Sequence, residues 1–274
     1  IHTVDLSDAF QRCVVKYMVD TYLDGRTPNP CLICNRDIKF GALFTHAMRL
    51  GATILATGHY ACVRNAVTPG PANDTGPSLY TGHDALKDQT YFLSLVPPAL
   101  LDQLYFPLCT MTKQDVRKFA SANNLTPLHT KESQDICFLG SDSPARFIAR
   151  SRSLPSEPGP IVNADQQVVG THQGLYRYTI GQRRGINCPA SRPYYVRQID
   201  IPSNRLVVCH KEDLAQDRFE VNELVWNGPD NSRIPNVQVR IRYNHPGTPA
   251  SLVRKDNIGV VTLKHPQNAV TPGQ

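Results

Sequence analysis

Periodicity changes once along this chain of 274 residues, and Pro158-Gly159-Pro160 marks the place. Before it, apolar residues recur at helical spacing around short apolar runs. After it, hairpin-like runs of Val, Ile and Tyr alternate with Pro, Gly and Asn. The first pattern predicts an α/β layer around a parallel sheet and the second predicts small, mostly β domains. The stretch Ser151 to Pro160 is composed like a linker. The resulting division is 1–145, an α/β part; 146–216, a central β domain; and 217–274, a C-terminal β part with too few strands to close a barrel.

His2 to Leu6 has the pattern of a strand followed by a helix cap, so the chain is expected to begin inside a domain, as a fragment. Ser7 is placed to cap a helix over about 8–23, with Phe10, Val14, Tyr17 and Met18 on one face and Gly25 beyond its end. Ile38 to Leu50 predicts a second helix ending at Gly51. Thr53 to Thr57 predicts a buried strand that delivers Gly58-His59-Tyr60 at its carboxyl end, where open α/β sheets collect ligands. His59 reads equally well as a polar residue at a strand end. Residues 65–84 have the composition of an exposed insertion, and Lys87-Asp88-Gln89 leads into a helix start at Thr90. Thr112 and Asp115 form a capping box for a helix carrying Val116, Phe119 and Ala120. Cys137 falls in a short apolar run predicted to be a strand.

Past the break, Ile161-Val162-Asn163 and Gln167 to Gly170 predict a hairpin. Gly174 to Gly185 mixes aromatic and basic residues. Tyr194–Ile201 and Arg205–Cys209 predict strands joined across Pro202-Ser203-Asn204, with further strands at Val221 to Trp226 and Val237 to Tyr243. The last of these turns Arg240 and Arg242 to one face, an arrangement that serves phosphate contact or plain solvation of the strand.

The formal net charge of +6 makes a polyanionic partner worth testing. Eight cysteines show no framework spacing, which fits reduced thiols in a cytosol-like compartment; Cys13, Cys62, Cys109, Cys188 and Cys209 read as small buried hydrophobes. No apolar run nears the roughly 18 residues of a membrane span, and no signal-peptide pattern is present.

Cys31 and Cys34 differ from the other thiols. Pro28 and Pro30 stiffen the chain just ahead of them, so the pair is expected on a rigid polar loop. Three chemistries compete for this Cys-x-x-Cys and the distant Cys137. Zinc wants a fourth ligand and a second local pair. An iron–sulfur cluster on Cys31, Cys34 and Cys137 would leave one iron open for an external sulfur. A redox pair would carry and release a persulfide sulfur.

Six motifs, in order, resemble the tRNA-specific 2-thiouridylases: Thr27-Pro28-Asn29-Pro30 to Cys34-Asn35 with Ile38-Lys39-Phe40; Ala56-Thr57-Gly58-His59-Tyr60; Lys87 to Leu93; Asp135-Ile136-Cys137-Phe138; Tyr178 to Gly185; and Ala269 to Gln274. The resemblance implies a partial pyrophosphatase-loop α/β catalytic domain over 1–145, followed by a central tRNA-binding domain over 146–216 and a truncated C-terminal β-barrel over 217–274, with activity as a sulfurtransferase. It implies ATP with magnesium, tRNA and a persulfide donor such as a cysteine desulfurase or sulfur-relay protein. The implied setting is a bacterial cytoplasm or an organelle matrix, away from membranes. By the match, Cys34 is the nucleophile and Cys137 the persulfide carrier, and the two can form a disulfide once sulfur has left. Gly58 is placed against ATP, Asn29, Pro30 and Cys31 against the target base, and His59, Lys87, Asp88, Gln89, Arg242, Tyr243 and Gln274 against tRNA. Cys31 stands where much of the family has aspartate. The family's Ser-Gly-Gly-x-Asp-Ser phosphate loop is not among these residues. The alternative reading is a catalytically inactive tRNA-binding or cluster-carrying protein.

Overall fold

A computed structural model describes residues 1–64, 76–125, 136–153, 155–226 and 231–274. It falls into two compact units: Ile1–Val14, Cys31–Gln134 and Leu224–Asn231 make the first, and Val15–Pro30, Asp135–Glu223 and Ser232–Gln274 the second.

The first helical segment runs as Ser7–Phe10, Gln11–Val15 and Lys16–Leu23, with wide π-type turns in its middle part. Its first turn is held by Asp5, whose carboxylate accepts from the Ser7 N–H at 2.9 Å, rather than by the Ser7 hydroxyl. The second helix corrects the expected loop. It starts at Pro30 and continues through Pro30–Ile33, Cys34–Leu43 and Phe44–Arg49, so both cysteines lie on its opening turns. Proline at the first helical position has no N–H to leave unpaired and already holds the helical φ.

In the first unit the helix buries Phe40 and Phe44 against Ala61, Leu93, Val96, Leu101, Leu104 and Phe106. Four short strands surround this core: β1 (Leu55–Ala56), β2 (Ala61–Arg64), β3 (Ser78–Thr81) and β4 (Leu104–Tyr105). β1 and β4 pair in parallel, with Leu55 opposite Leu104, and β2 and β3 form an antiparallel pair. The parallel pair is shorter and less buried than expected: Ile54 is 55% exposed. Each strand of a two-stranded sheet is an edge, and so it lacks the cover that buries a central strand. Of the expected insertion, Ser78–Thr81 is strand and 65–75 lie outside the described residues. Cys62 and Cys109, expected as reduced thiols, are joined in a disulfide. They are 47 residues apart in sequence with Cα atoms 4.9 Å apart, within bridging range, a proximity that sequence spacing does not reveal.

The capping box forms as expected. Thr112 Oγ1 accepts from Asp115 N at 3.1 Å, and the Asp115 carboxylate accepts from Thr112 N at 3.0 Å, opening the Lys113–Ala122 helix. That helix buries no residue fully, and Phe119 is exposed.

In the second unit the expected linker is taken up at both ends by regular elements. Ser143 caps a helix over Pro144–Arg152, and β5 (Gly159–Val162) begins inside the Pro-Gly-Pro break. A Cβ at Gly159 would lie 2.2 Å from the Asn204 carbonyl oxygen, so this glycine serves close backbone approach. The strands β6 (Val168–His172), β7 (Tyr195–Asp200) and β8 (Arg205–Cys209) complete a sheet of order β6-β5-β8-β7. Its core holds fully buried Ile161, Val196, Leu206 and Val208. The last sheet contains β9 (Ala215–Asn222), β10 (Arg233–Val239), β11 (Thr248–Lys255) and β12 (Ile258–Asn268) in the order β10-β11-β12-β9. β9 lies earlier than the expected Val221–Trp226 strand, because Glu223 turns left-handed at φ 54° and ends it. Among the described residues this sheet stays open.

Replacing Thr112 with alanine removes one side-chain acceptor at an exposed helix end and is expected to cost about 1 kcal/mol. Hydrogen exchange of the Lys113–Ala122 amides should quicken about fivefold, while amides around Phe40 keep their rates.

Candidate active site

The cysteine helix, the His59 turn and the Lys87–Gln89 segment are tied together in the first unit by specific polar bonds. Asn35, next to Cys34, donates from Nδ2 to the Phe92 carbonyl at 2.8 Å. Gln89 accepts from Tyr60 N through Oε1 at 3.0 Å and donates its own N–H to the Tyr60 carbonyl at 2.9 Å. Buried Asp88 accepts from Thr90 Oγ1 at 2.7 Å and from Gly82 N at 3.3 Å. Asp88 and Gln89 therefore hold the Lys87 turn in place.

His59 is buried between the rings of Phe40 and Phe106, with centroids 5.8 and 6.0 Å away. Burial, and secondarily the Lys39 ammonium, push its pKa down to about 4. Lys39 Nζ can only donate, so Nε2 of the ring is the acceptor at 3.4 Å. The remaining proton then sits on Nδ1 and is donated to Thr57 Oγ1 at 2.8 Å. Sequence reading missed Lys39 as a site residue, although its place one helical turn after Asn35 was visible.

Cys31 and Cys34 are half-buried and free of disulfides, three residues apart. Asn35 Oδ1 is buried with no hydrogen-bond partner, an acceptor whose isolation costs about 1–3 kcal/mol and that a ligand donor would relieve. Gly58 is exposed past the carboxyl end of β1, and a Cβ there would meet only Leu108 Cδ1 at 3.8 Å, so its backbone is uncovered. Among the described residues no group of three or more His, Cys, Asp or Glu is arranged to hold a metal ion.

The second unit carries the remaining expected residues. Cys137 is exposed and lies in a turn closed by Leu139 N donating to the Ile136 carbonyl at 3.1 Å, which corrects the expected strand; Lys131 to Asp135 lie outside the described residues. Pro30 is buried and Asn29 half-buried. The C-terminal residues dock on the segment that leads into them. Thr27 N donates to the Pro272 carbonyl at 2.9 Å, and Gln274 Nε2 donates to the Thr27 carbonyl at 3.5 Å. At Gly273 (φ 96°) a Cβ would fall 2.5 Å from that same oxygen. Arg242 is exposed, Tyr243 half-buried and Ile241 between them and Arg240 buried, so the expected alternation holds past the end of β10.

Comparison with known proteins joins these features. Family models match along the chain: a tRNA methyl transferase HUP domain at 1–141, a tRNA methyl transferase PRC-barrel domain at 146–210 and an aminomethyltransferase beta-barrel domain at 216–274. The tRNA-specific 2-thiouridylase MnmA of Desulfosudis oleivorans is 43% identical over 98% of this chain and 74% of its own length. The chain belongs to the tRNA-specific 2-thiouridylase family. Two further 2-thiouridylases, from Syntrophus aciditrophicus and Rhodospirillum centenum, are 37% and 39% identical over the whole chain and over 85% and 70% of their own lengths. This is a family of sulfurtransferase enzymes, with the HUP type of α/β domain at its N-terminal side. Among the described residues no helix is long and apolar enough to cross a membrane.

A folded-state pKa below the reference value of 6.5 means that the unfolded chain binds a proton at His59 that the native state refuses. Stability contributed here is complete above about pH 6.5 and is lost as pH falls toward about 4. The His59 ring resonance should titrate near 4 by NMR, and a midpoint near 6.5 would contradict the buried neutral ring.

Proposed function

We propose that this chain performs ATP-dependent 2-thiolation of the wobble uridine in tRNAs for Lys, Glu and Gln. The observation that carries the proposal is Cys34 on a helix anchored through Asn35 to the Phe92 carbonyl and through Lys39 to His59, in a chain aligned throughout with 2-thiouridylases. The family models name methyl transfer and the relatives name thiolation; the two thiols support the second.

ATP would supply an adenylyl group to the uridine C2 oxygen with release of pyrophosphate, and so turn that oxygen into a leaving group that departs as AMP. Gly58 receives the nucleotide along its open backbone. Cys137 holds a persulfide delivered by a cysteine desulfurase or relay protein, and its exposure supports such a delivery. Attack of the Cys34 thiolate on the Cys137 sulfur breaks the S–S bond and releases hydrosulfide, which displaces AMP at C2; a Cys34–Cys137 disulfide remains and must be reduced before the next turnover.

Asn29, Pro30 and Cys31 receive the target base, and His59, Lys87, Asp88, Gln89, Arg242, Tyr243 and Gln274 form the tRNA contact set. Within that set the exposed Arg242 and half-buried Lys87 meet phosphates. His59 contributes as a neutral ring that orients Lys39, and Asp88 and Gln89 through the turn they hold. Gln274 acts beside the Thr27 segment on which it docks. The division into 1–145, 146–216 and 217–274 is supported by the three family-model matches, and the reaction is placed in a bacterial cytoplasm or an organelle matrix.

In cells whose own gene encodes Cys34→Ser or Cys137→Ser, nucleoside mass spectrometry of these tRNAs should find 2-thiouridine reduced at least a hundredfold. Unchanged thiolation with either variant would overturn the mechanism.

A further inference from the structure

One pocket of the second unit has no role in the chemistry above. Arg183, Ile186, Asn187, Cys188, Pro189, Pro193 and Tyr194 line a cavity of about 340 Å³. Small-molecule sites span roughly 300–1,000 Å³, so one nucleoside-sized group is the scale of occupant it admits.

Its walls are held rigidly. Gly181 N donates to the Val196 carbonyl at 2.8 Å, and Val196 N returns a bond to the Gln182 carbonyl at 3.0 Å. The Gln182 side chain accepts from Thr179 N at 3.1 Å and donates to the Arg184 carbonyl at 2.8 Å, fixing the two arginines' backbone. Tyr194 stacks on His210 with ring centroids 5.2 Å apart and planes 13° apart, and His210 Nδ1 donates to the Pro193 carbonyl at 3.3 Å. The aromatic wall is thereby held in one orientation. Ile186 is buried beneath the pocket.

Charge identifies the kind of occupant. Residues 174–198 include Arg177, Arg183, Arg184, Arg192 and Arg197 and no acidic side chain. Arg192 is paired with Glu212, whereas Arg183 and Arg184 are exposed and have no acidic partner among the described residues. A fixed aromatic plane with prolines beside it and an uncompensated guanidinium at the rim suits a flat base attached to a phosphate.

We propose that this pocket takes one unstacked nucleotide of an RNA strand, with its base against Tyr194 and its phosphate at Arg183 and Arg184. The inference rests on the tRNA reading above and adds to it a second place where the RNA is gripped. Single-strand bases stack on aromatic side chains without needing sequence readout, so the pocket would anchor the strand and leave the choice of uridine to the thiolation site.

Binding of fluorescent tRNA to the 274-residue chain, measured by anisotropy across a salt series, tests this. Tyr194→Ala should weaken binding about tenfold at every salt concentration, within the range for losing one base stack, and Tyr194→Phe should restore it. Arg183→Ala changes an exposed side chain, so folding is spared; it should lower the slope of log K against log salt by about 1. If the wild type binds tRNA and both alanine variants match it in affinity and slope, the pocket proposal falls and the tRNA reading stands. If the wild type fails to bind tRNA, both fall. A third arm adds uridine monophosphate: protection of Cys188 from alkylation by the free nucleotide, with tRNA affinity unmoved by Tyr194→Ala, would show a mononucleotide site and overturn the RNA proposal.

Discussion

Pro30 decides the geometry of the site. Because its nitrogen carries no hydrogen and its φ is fixed, the helix starts at this residue, and everything after it inherits helical register. Cys31 and Cys34 fall one turn apart, Asn35 reaches the Phe92 carbonyl, Lys39 reaches His59, and Phe40 and Phe44 enter the core. Displacing the helix start by one residue would rotate these side chains by about 100° and separate each from its partner. Within the second unit the segment that leads to Pro30 meets the C-terminal residues: Pro272, Gly273 and Gln274 all approach Thr27.

Burial then assigns unequal roles to residues that the motifs present as equals. His59 and Asp88 are almost wholly inaccessible, while Gly58 and Arg242 are exposed. A neutral imidazole between two phenylalanine rings gains nothing from an approaching phosphate, but it directs a lysine that can. Under the proposed function, the polar residues near Cys34 would thus divide into those that meet a substrate and those that keep the others in place.

Local chemistry was legible in the sequence wherever a residue acts on its immediate neighbours. The Thr112 and Asp115 box, the β7–β8 pair across Pro202-Ser203-Asn204, and the alternation from Val237 to Tyr243 are all properties of short stretches. Features that depend on distant partners were not. The Cys62–Cys109 bond joins residues 47 positions apart, the helical placement of Cys31 required knowing which of two prolines begins the helix, and β5 begins at a glycine whose purpose is Asn204. The motifs marked Cys34 and His59 as important, but the burial that makes His59 neutral and the bond that recruits Lys39 belong to tertiary packing.

In the proposed reaction two thiols have different tasks, one receiving sulfur and one releasing it. The most direct test is to load the protein with sulfur from a cysteine desulfurase and isotopically labelled cysteine, without tRNA, and to map the added sulfur by peptide mass spectrometry. The label is expected on the peptide containing Cys137 and absent from the one containing Cys31 and Cys34. Label confined to Cys31 or Cys34, with Cys137 unmodified, would contradict the account.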